Sequence, residues 1–210
     1  MDAIAQGQHK QTFFDRWAPR YDWLLPSVFY QAVHQRLCEE SRLPEGAHVL
    51  DLGCGTGKLL NRLAQQDPTL TGVGLDFSAV MLAEAQRKTV DRDRLTFVSG
   101  TTDQLPFAPN TFDAAFCTIS FLHYPDPVAV LRAVATVLKP EGRFYLADYV
   151  PSKWTEQRFW DAPVPSASVQ VYPKQARERL AAEAGLHCDR HVYLLGPIML
   201  TVFAKVAPES

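Results

Sequence analysis

Val49-Leu50-Asp51-Leu52-Gly53-Cys54-Gly55-Thr56-Gly57 is an apolar run that ends in three glycines on alternate positions. Leu59, Leu60, Leu63 and Ala64 follow at helical spacing, so the stretch reads as strand, tight turn, helix. Glycine at such a turn admits positive φ and lets the backbone come close to a ligand. The helix start behind it offers unpaired N–H groups. A phosphate loop, GxxxxGK[ST], does not fit: Leu52 stands where its first glycine belongs, and Leu59 follows Gly57-Lys58. In the dinucleotide fingerprint GxGxxG the third glycine comes one residue later than here. A tight turn that needs glycine for steric reasons alone stays open beside these readings.

Downstream, Gly72-Val73-Gly74-Leu75-Asp76-Phe77-Ser78 sets Asp76 at the end of a second strand. A carboxylate there can accept from both hydroxyls of a ribose, or it can be a helix-start acid favoured by the dipole. Phe77 is placed either beside a bound ring or in the core. The pattern then alternates. Strands are read at 48–52, 70–75, 95–98, 112–118 and 144–150, and helices at 57–66, 78–88 and 127–138, with Ser78 as a cap. Alternation of this kind implies a parallel sheet with helices on both faces. After a helix over 174–184, stopped by Gly185, two strands at 187–195 and 199–206 are joined only by Gly196-Pro197. So short a link cannot hold a crossover helix, and the pair must be antiparallel. Upstream, residues 11–43 read as a short helix, a break near Pro26 and a longer helix to about Ser41.

The 210 residues suit one domain, with 47% hydrophobic residues and a formal net charge of -2. There is no block of Lys or Arg, so a basic nucleic-acid footprint is not expected. The first residues lack the apolar core of a secretory signal, and no run is long enough to span a bilayer. The 4 cysteines are scattered and form no CxxC pair. No metal centre and a cytoplasmic location are therefore expected.

VLDLGCGTG, GVGLDFS, DQLPF, FDAAFCTISFLHYPDP and LKPEGRFYLADYV, in this order, resemble the class I S-adenosylmethionine-dependent methyltransferases. The likeness is to the small-molecule branch that includes ubiquinone and menaquinone biosynthesis, and it extends over about residues 13–206. It implies a doubly wound, Rossmann-like α/β fold: a seven-stranded, mostly parallel sheet with an antiparallel C-terminal strand. It also implies S-adenosyl-L-methionine as donor. By resemblance, Asp51, Gly53, Cys54 and Gly55 surround the donor's methionine end, Asp76 holds its ribose, Phe77 flanks its adenine, and Thr118 lies close by. The family often has Gly-Asp-Ala before LPF; here Gly100-Thr101-Thr102-Asp103 stands instead. Thr101 takes the acid's place, leaving Thr102 and Asp103 as the residues toward adenine, unless Asp103 is a solvated loop acid.

The expected organisation is an N-terminal helical lid at 1–43 and a donor-binding domain at 44–210, with an acceptor-covering insertion at about 151–173. Tyr21, in the lid, is expected at the donor's carboxylate, or as a lid aromatic that touches no ligand. In the insertion, Trp154, Phe159, Trp160 and Tyr172 either line an apolar pocket or cover the core. Methyl transfer requires chiefly proximity and orientation. A phenol or enol acceptor gains from a general base. His123, after the fourth strand, is the candidate, and its alternative role is packing or capping the next helix. The partner expected is a small, hydrophobic or aromatic acceptor. Two other functions compete: a nicotinamide dehydrogenase, opposed by the glycine spacing and the hairpin, and a non-catalytic cofactor-binding or interaction protein on the same fold.

Overall fold

A computed structural model of the chain describes residues 24–150, 161–164 and 167–206. Helix α1 (Leu24–Glu40) leads into β1 (His48–Leu52), α2 (Lys58–Gln66), β2 (Thr71–Asp76), α3 (Ala79–Lys88), β3 (Leu95–Ser99) and β4 (Phe112–Thr118). A 3₁₀ turn (Phe121–His123), α4 (Pro127–Val137) and β5 (Leu138–Tyr149) follow. Then come the short strands β6 (Asp161–Val164) and β7 (Ala167–Gln170), α5 (Lys174–Glu183), β8 (Leu186–Leu195) and β9 (Ile198–Lys205).

The main sheet has seven strands in the order β3-β2-β1-β4-β5-β9-β8, and β6 and β7 form a separate antiparallel pair. The first five strands run parallel. Only β9 runs against its neighbours, antiparallel to both β5 and β8. The doubly wound fold and the final antiparallel strand are as the sequence implies. The hairpin, however, does not simply extend the edge: β9 slots between β5 and β8. Chain order reverses between β1 and β4, which opens a crevice at the carboxyl ends of these two strands.

Strand alternation divides the core in two. Val49 and Phe116 face one side, with Leu59, Leu60 and Leu63 of α2 and Val33 and Leu37 of α1. Leu50, Leu52 and Phe144 face the other, with Val130 and Val134 of α4 and Ala181 of α5. Val33 and Leu37 are fully buried, so α1 is packed into the sheet's own core. Caps follow local chemistry. Ser78 Oγ accepts from Met81 N at the start of α3, Asp126 accepts from Ala129 N ahead of Pro127 in α4, and Gly185 ends α5 at φ +78°.

Two boundaries differ from the sequence reading. Pro26 lies in the first turn of α1, where a residue has no intrahelical N–H bond to lose; the short helix read ahead of it falls outside the described residues. Strand β5 starts at Leu138, which pairs with Phe112, and the run 139–142 bulges out before pairing resumes at Arg143. Among the described residues, no helix is long and apolar enough to cross a membrane.

Candidate functional site

The turn between β1 and α2 lies at the crevice. Gly53, Gly55 and Gly57 have φ of +66°, +52° and +73°, a region that side chains rarely adopt. The Gly53 and Cys54 amides both donate to Leu75 O, at 2.8 and 3.1 Å, which ties the turn to the end of β2. The Gly55 amide donates to Asp76 Oδ2 at 2.8 Å, and Asp76 Oδ1 accepts from Ser78 N at 2.9 Å. One carboxylate thus holds both the glycine turn and the entry to α3. The glycines do different work. A Cβ on Gly53 would meet Ser120 Oγ at 2.7 Å and the Tyr124 hydroxyl at 2.9 Å, whereas a Cβ on Gly55 would meet nothing within 4 Å among the described residues. Gly53 is a packing glycine, and Gly55 faces open space.

Asp51, one residue inside the end of β1, is buried. Burial, with the negative charge of Asp76 nearby, raises its carboxyl well above the ordinary range. The same causes, with Asp51 added, raise the Cys54 thiol, so it stays uncharged. Phe77, by contrast, is 39% exposed at the end of β2.

Beyond β4 the chain passes through Ile119, a β-branched residue at φ +50°, with its amide bonded to Ala147 O at 2.8 Å. Backbone strain of this kind persists where the surroundings fix it and is common at functional sites. Ser120 Oγ lies 2.8 Å from the Tyr124 hydroxyl and donates to Leu52 O at 3.2 Å, under the glycine turn. Thr118 Oγ1 is buried with no hydrogen-bond partner among the described residues. His123 closes the 3₁₀ turn, and its amide donates to Ser120 O. Leu122 N, inside that turn, donates to Asp148 Oδ2 at 3.0 Å, and Tyr149 N donates to Oδ1 at 2.7 Å. Asp148 is buried. Desolvation pushes its carboxyl up to about 6, against the opposing pull of the Arg177 guanidinium.

The structure brings Asp51, Gly53, Cys54, Gly55, Asp76, Phe77, Thr118 and His123 to the carboxyl ends of β1, β2 and β4. Thr102, half-buried, and Asp103, exposed, lie in the loop after β3. That loop is tied to the same rim by the Gly100 amide, which donates to Asp76 O. Tyr21, Trp154, Phe159 and Trp160 lie outside the described residues. Tyr172 belongs to the core: it is buried, edge-on to Phe121 with ring centroids 5.5 Å apart. Asp148 escaped the sequence reading, although an acid at the end of an apolar strand is itself a signal of a partnered buried carboxyl.

Residues 49–142 match a family described as a methyltransferase domain. The chain is 29% identical over 221 residues to a 2-phytyl-1,4-naphtoquinone methyltransferase of Thermosynechococcus vestitus, covering 93% of this chain and 98% of that protein. It is 37% identical over 142 residues to a demethylmenaquinone methyltransferase of Lactiplantibacillus plantarum, covering 63% of this chain and 59% of the relative. It thus spans under two thirds of that second relative. Among solved structures, a chain from the complex between the Haloferax volcanii Trm112 methyltransferase activator and the putative methyltransferase superposes with TM-score 0.80 at 24% identity, covering 94% and 97% of the two chains. The sheet order, the glycine turn at the end of the first strand and the methyltransferase-domain match over residues 49–142 make the chain similar to the class I S-adenosylmethionine-dependent methyltransferases.

Proposed function

We propose that the chain moves a methyl group from S-adenosylmethionine to a small hydrophobic ring acceptor of the quinone type. The observation that carries the donor site is the open cradle at Gly55, where, among the described residues, neither side chain nor backbone fills the space beside a left-handed turn. The buried hydroxyl of Thr118, unpartnered among the described residues, fits the same reading, because a buried polar atom without a partner is costly unless a ligand completes it. The acceptor class rests on the relatives named for naphtoquinone and demethylmenaquinone.

When bound, the donor supplies a methyl group already activated by its sulfonium for in-line displacement. The chain's own residues would bind and orient. Asp76, whose carboxylate accepts from Gly55 N and Ser78 N, would also accept from the ribose hydroxyls. Asp51, Gly53, Cys54 and Gly55 would hold the methionine end. Phe77 would flank the adenine, and Thr102 and Asp103 would take its polar edge. His123 would accept the proton that an enol or phenol gives up. In the N-terminal region 1–43, α1 anchors on the sheet's core and the segment ahead of it, Tyr21 included, would form the lid, while 151–173 would cover the acceptor.

Calorimetric titration with S-adenosylmethionine and its demethylated product tests the donor site. Micromolar binding of both is expected, followed by turnover on naphthoquinol or phenol acceptors and none on polar amines. Binding without turnover on any ring acceptor would favour a non-catalytic cofactor-binding protein. Absence of binding by the folded chain would overturn the proposal.

A further inference from the structure

Four strands away from β1, the packing of α5 against β8 gathers three metal-binding side chains. Glu178 Oε1 lies 2.8 Å from His191 Nε2, Cys188 Sγ lies 3.5 Å from the same nitrogen, and the three donor atoms are all within 4.8 Å of one another. The cause is a bulge in the edge strand. Cys188 pairs with Phe203 and Arg190 with Val202, so Asp189 is an extra residue with no opposite number. In a regular strand, residues three apart point to opposite faces. The bulge brings Cys188 and His191 to one face, where Glu178 meets them from α5.

We propose that Glu178, Cys188 and His191 bind a zinc-class divalent cation that ties α5 to the edge strand. Thiolate with imidazole selects zinc over magnesium or calcium. Zinc bonds of about 2.0–2.3 Å set tetrahedral ligand atoms roughly 3.3–3.6 Å apart; Cys188 and His191 already stand at 3.5 Å, and Glu178, at 2.8 Å from His191, would draw back slightly to admit the ion. The far side of the imidazole is set for ligation. His191 Nδ1 is 3.0 Å from Thr201 Oγ1, which also accepts from Arg177 Nη1 at 3.2 Å. Where Thr201 accepts from Nδ1–H as well, Nε2 turns a lone pair toward Cys188 and Glu178, the arrangement in which an outer partner fixes the ligating tautomer. Glu178 is 47% exposed, so an ion can enter without unfolding, and water can fill the fourth position. On binding, the Cys188 thiol proton leaves to solvent and its sulfur lone pair forms the bond to the metal. Without an ion, the same geometry is a plain His191–Glu178 hydrogen bond, and the experiment must tell the two apart.

The full chain, stripped of metal, is titrated with Zn²⁺ and with Co²⁺. One equivalent of Zn²⁺ should bind and raise the melting temperature, and Co²⁺ should give a thiolate charge-transfer band in the near ultraviolet. Cys188→Ser should abolish that band. His191→Gln should weaken Zn²⁺ binding at least tenfold, with S-adenosylmethionine affinity unchanged as the check on folding. Should Cys188→Ser not fold, the Zn²⁺ affinity of His191→Gln decides. No stoichiometric Zn²⁺ binding, no charge-transfer band, or a Zn²⁺ affinity indifferent to these variants would each overturn the site.

Discussion

The amide of Gly55 donates to Oδ2 of Asp76 across 21 residues of chain, at 2.8 Å. The glycine turn and the strand-end acid are therefore one hydrogen-bonded unit. Asp76→Ala should weaken S-adenosylmethionine binding about 10- to 150-fold, roughly 1.5–3 kcal/mol. It should also lower the melting temperature, because Gly55 N and Ser78 N lose their acceptor. Calorimetry and thermal melting read the two effects separately, and undiminished affinity in a folded variant would remove Asp76 from the donor site.

The three-glycine turn makes two opposite demands. Gly53→Ala drives a methyl group into Ser120 Oγ and Tyr124 OH, and a large loss of stability is expected in urea unfolding. Gly55→Ala meets no atom of the described residues and carries the strain of a left-handed residue, about 1 kcal/mol. It should stay folded and lose donor binding, since the new methyl enters the open cradle. If both variants keep the donor, the cradle is not the site.

Two desolvated groups, the half-buried His34 and the buried Asp148, pull the acid response in opposite directions. Burial, with Arg62 and Lys58 close by, lowers His34 to about 4. The unfolded chain then takes up that proton first as pH falls below about 6.5, and stability is lost between there and about 4. Asp148, raised to about 6, does the reverse: the folded chain takes the proton first, and stability rises as pH falls from about 6 toward the unfolded value near 3.8. Each contributes about 3 kcal/mol at most over its window, so the two nearly cancel. His34→Gln should therefore gain stability relative to the parent as pH is lowered from 6.5 to 4, and Asp148→Asn should lose it. Urea unfolding at stepped pH reads both slopes, and parallel slopes in all three proteins would rule the scheme out.

Arg177 is fully buried, and its guanidinium donates to the carbonyls of Tyr172, Met199, Asp148 and Tyr149 and to Thr201 Oγ1. Arg177→Met would remove the guanidinium donor from all of these acceptors. A loss of about 3–5 kcal/mol is expected from equilibrium unfolding. A loss below 1 kcal/mol would mean that water replaces the guanidinium.

What was legible in the sequence was local. The strand-turn-helix at residues 49–66, the acid closing β2, the Ser78 cap and the two-residue link at Gly196-Pro197 each follow from neighbouring residues, and all are present. What was not legible depends on chain meeting chain. Arg177 looks like any solvated helix charge until β5, β9 and the start of α5 close around it. Asp148 gains its meaning from Leu122 N, 26 residues away. Cys188 and His191 share a face only because a bulge shifts the register, and no spacing rule predicts where a bulge falls. Leu138 continued the apolar stripe of α4, yet its pairing with Phe112 draws it into β5.

The placing of β9 between β5 and β8 also governs how the molecule can come into being. Synthesis delivers β5 and then β8 before the strand that joins them, so each emerges with an open flank. Until β9 arrives, the nascent chain carries two unsatisfied hydrogen-bonding edges of the kind that recruit other chains. The half bearing the glycine turn can assemble early on its own parallel contacts, whereas the other half must wait. A stall or cut ahead of Ile198 would therefore release a species prone to aggregate, and not merely a shorter enzyme.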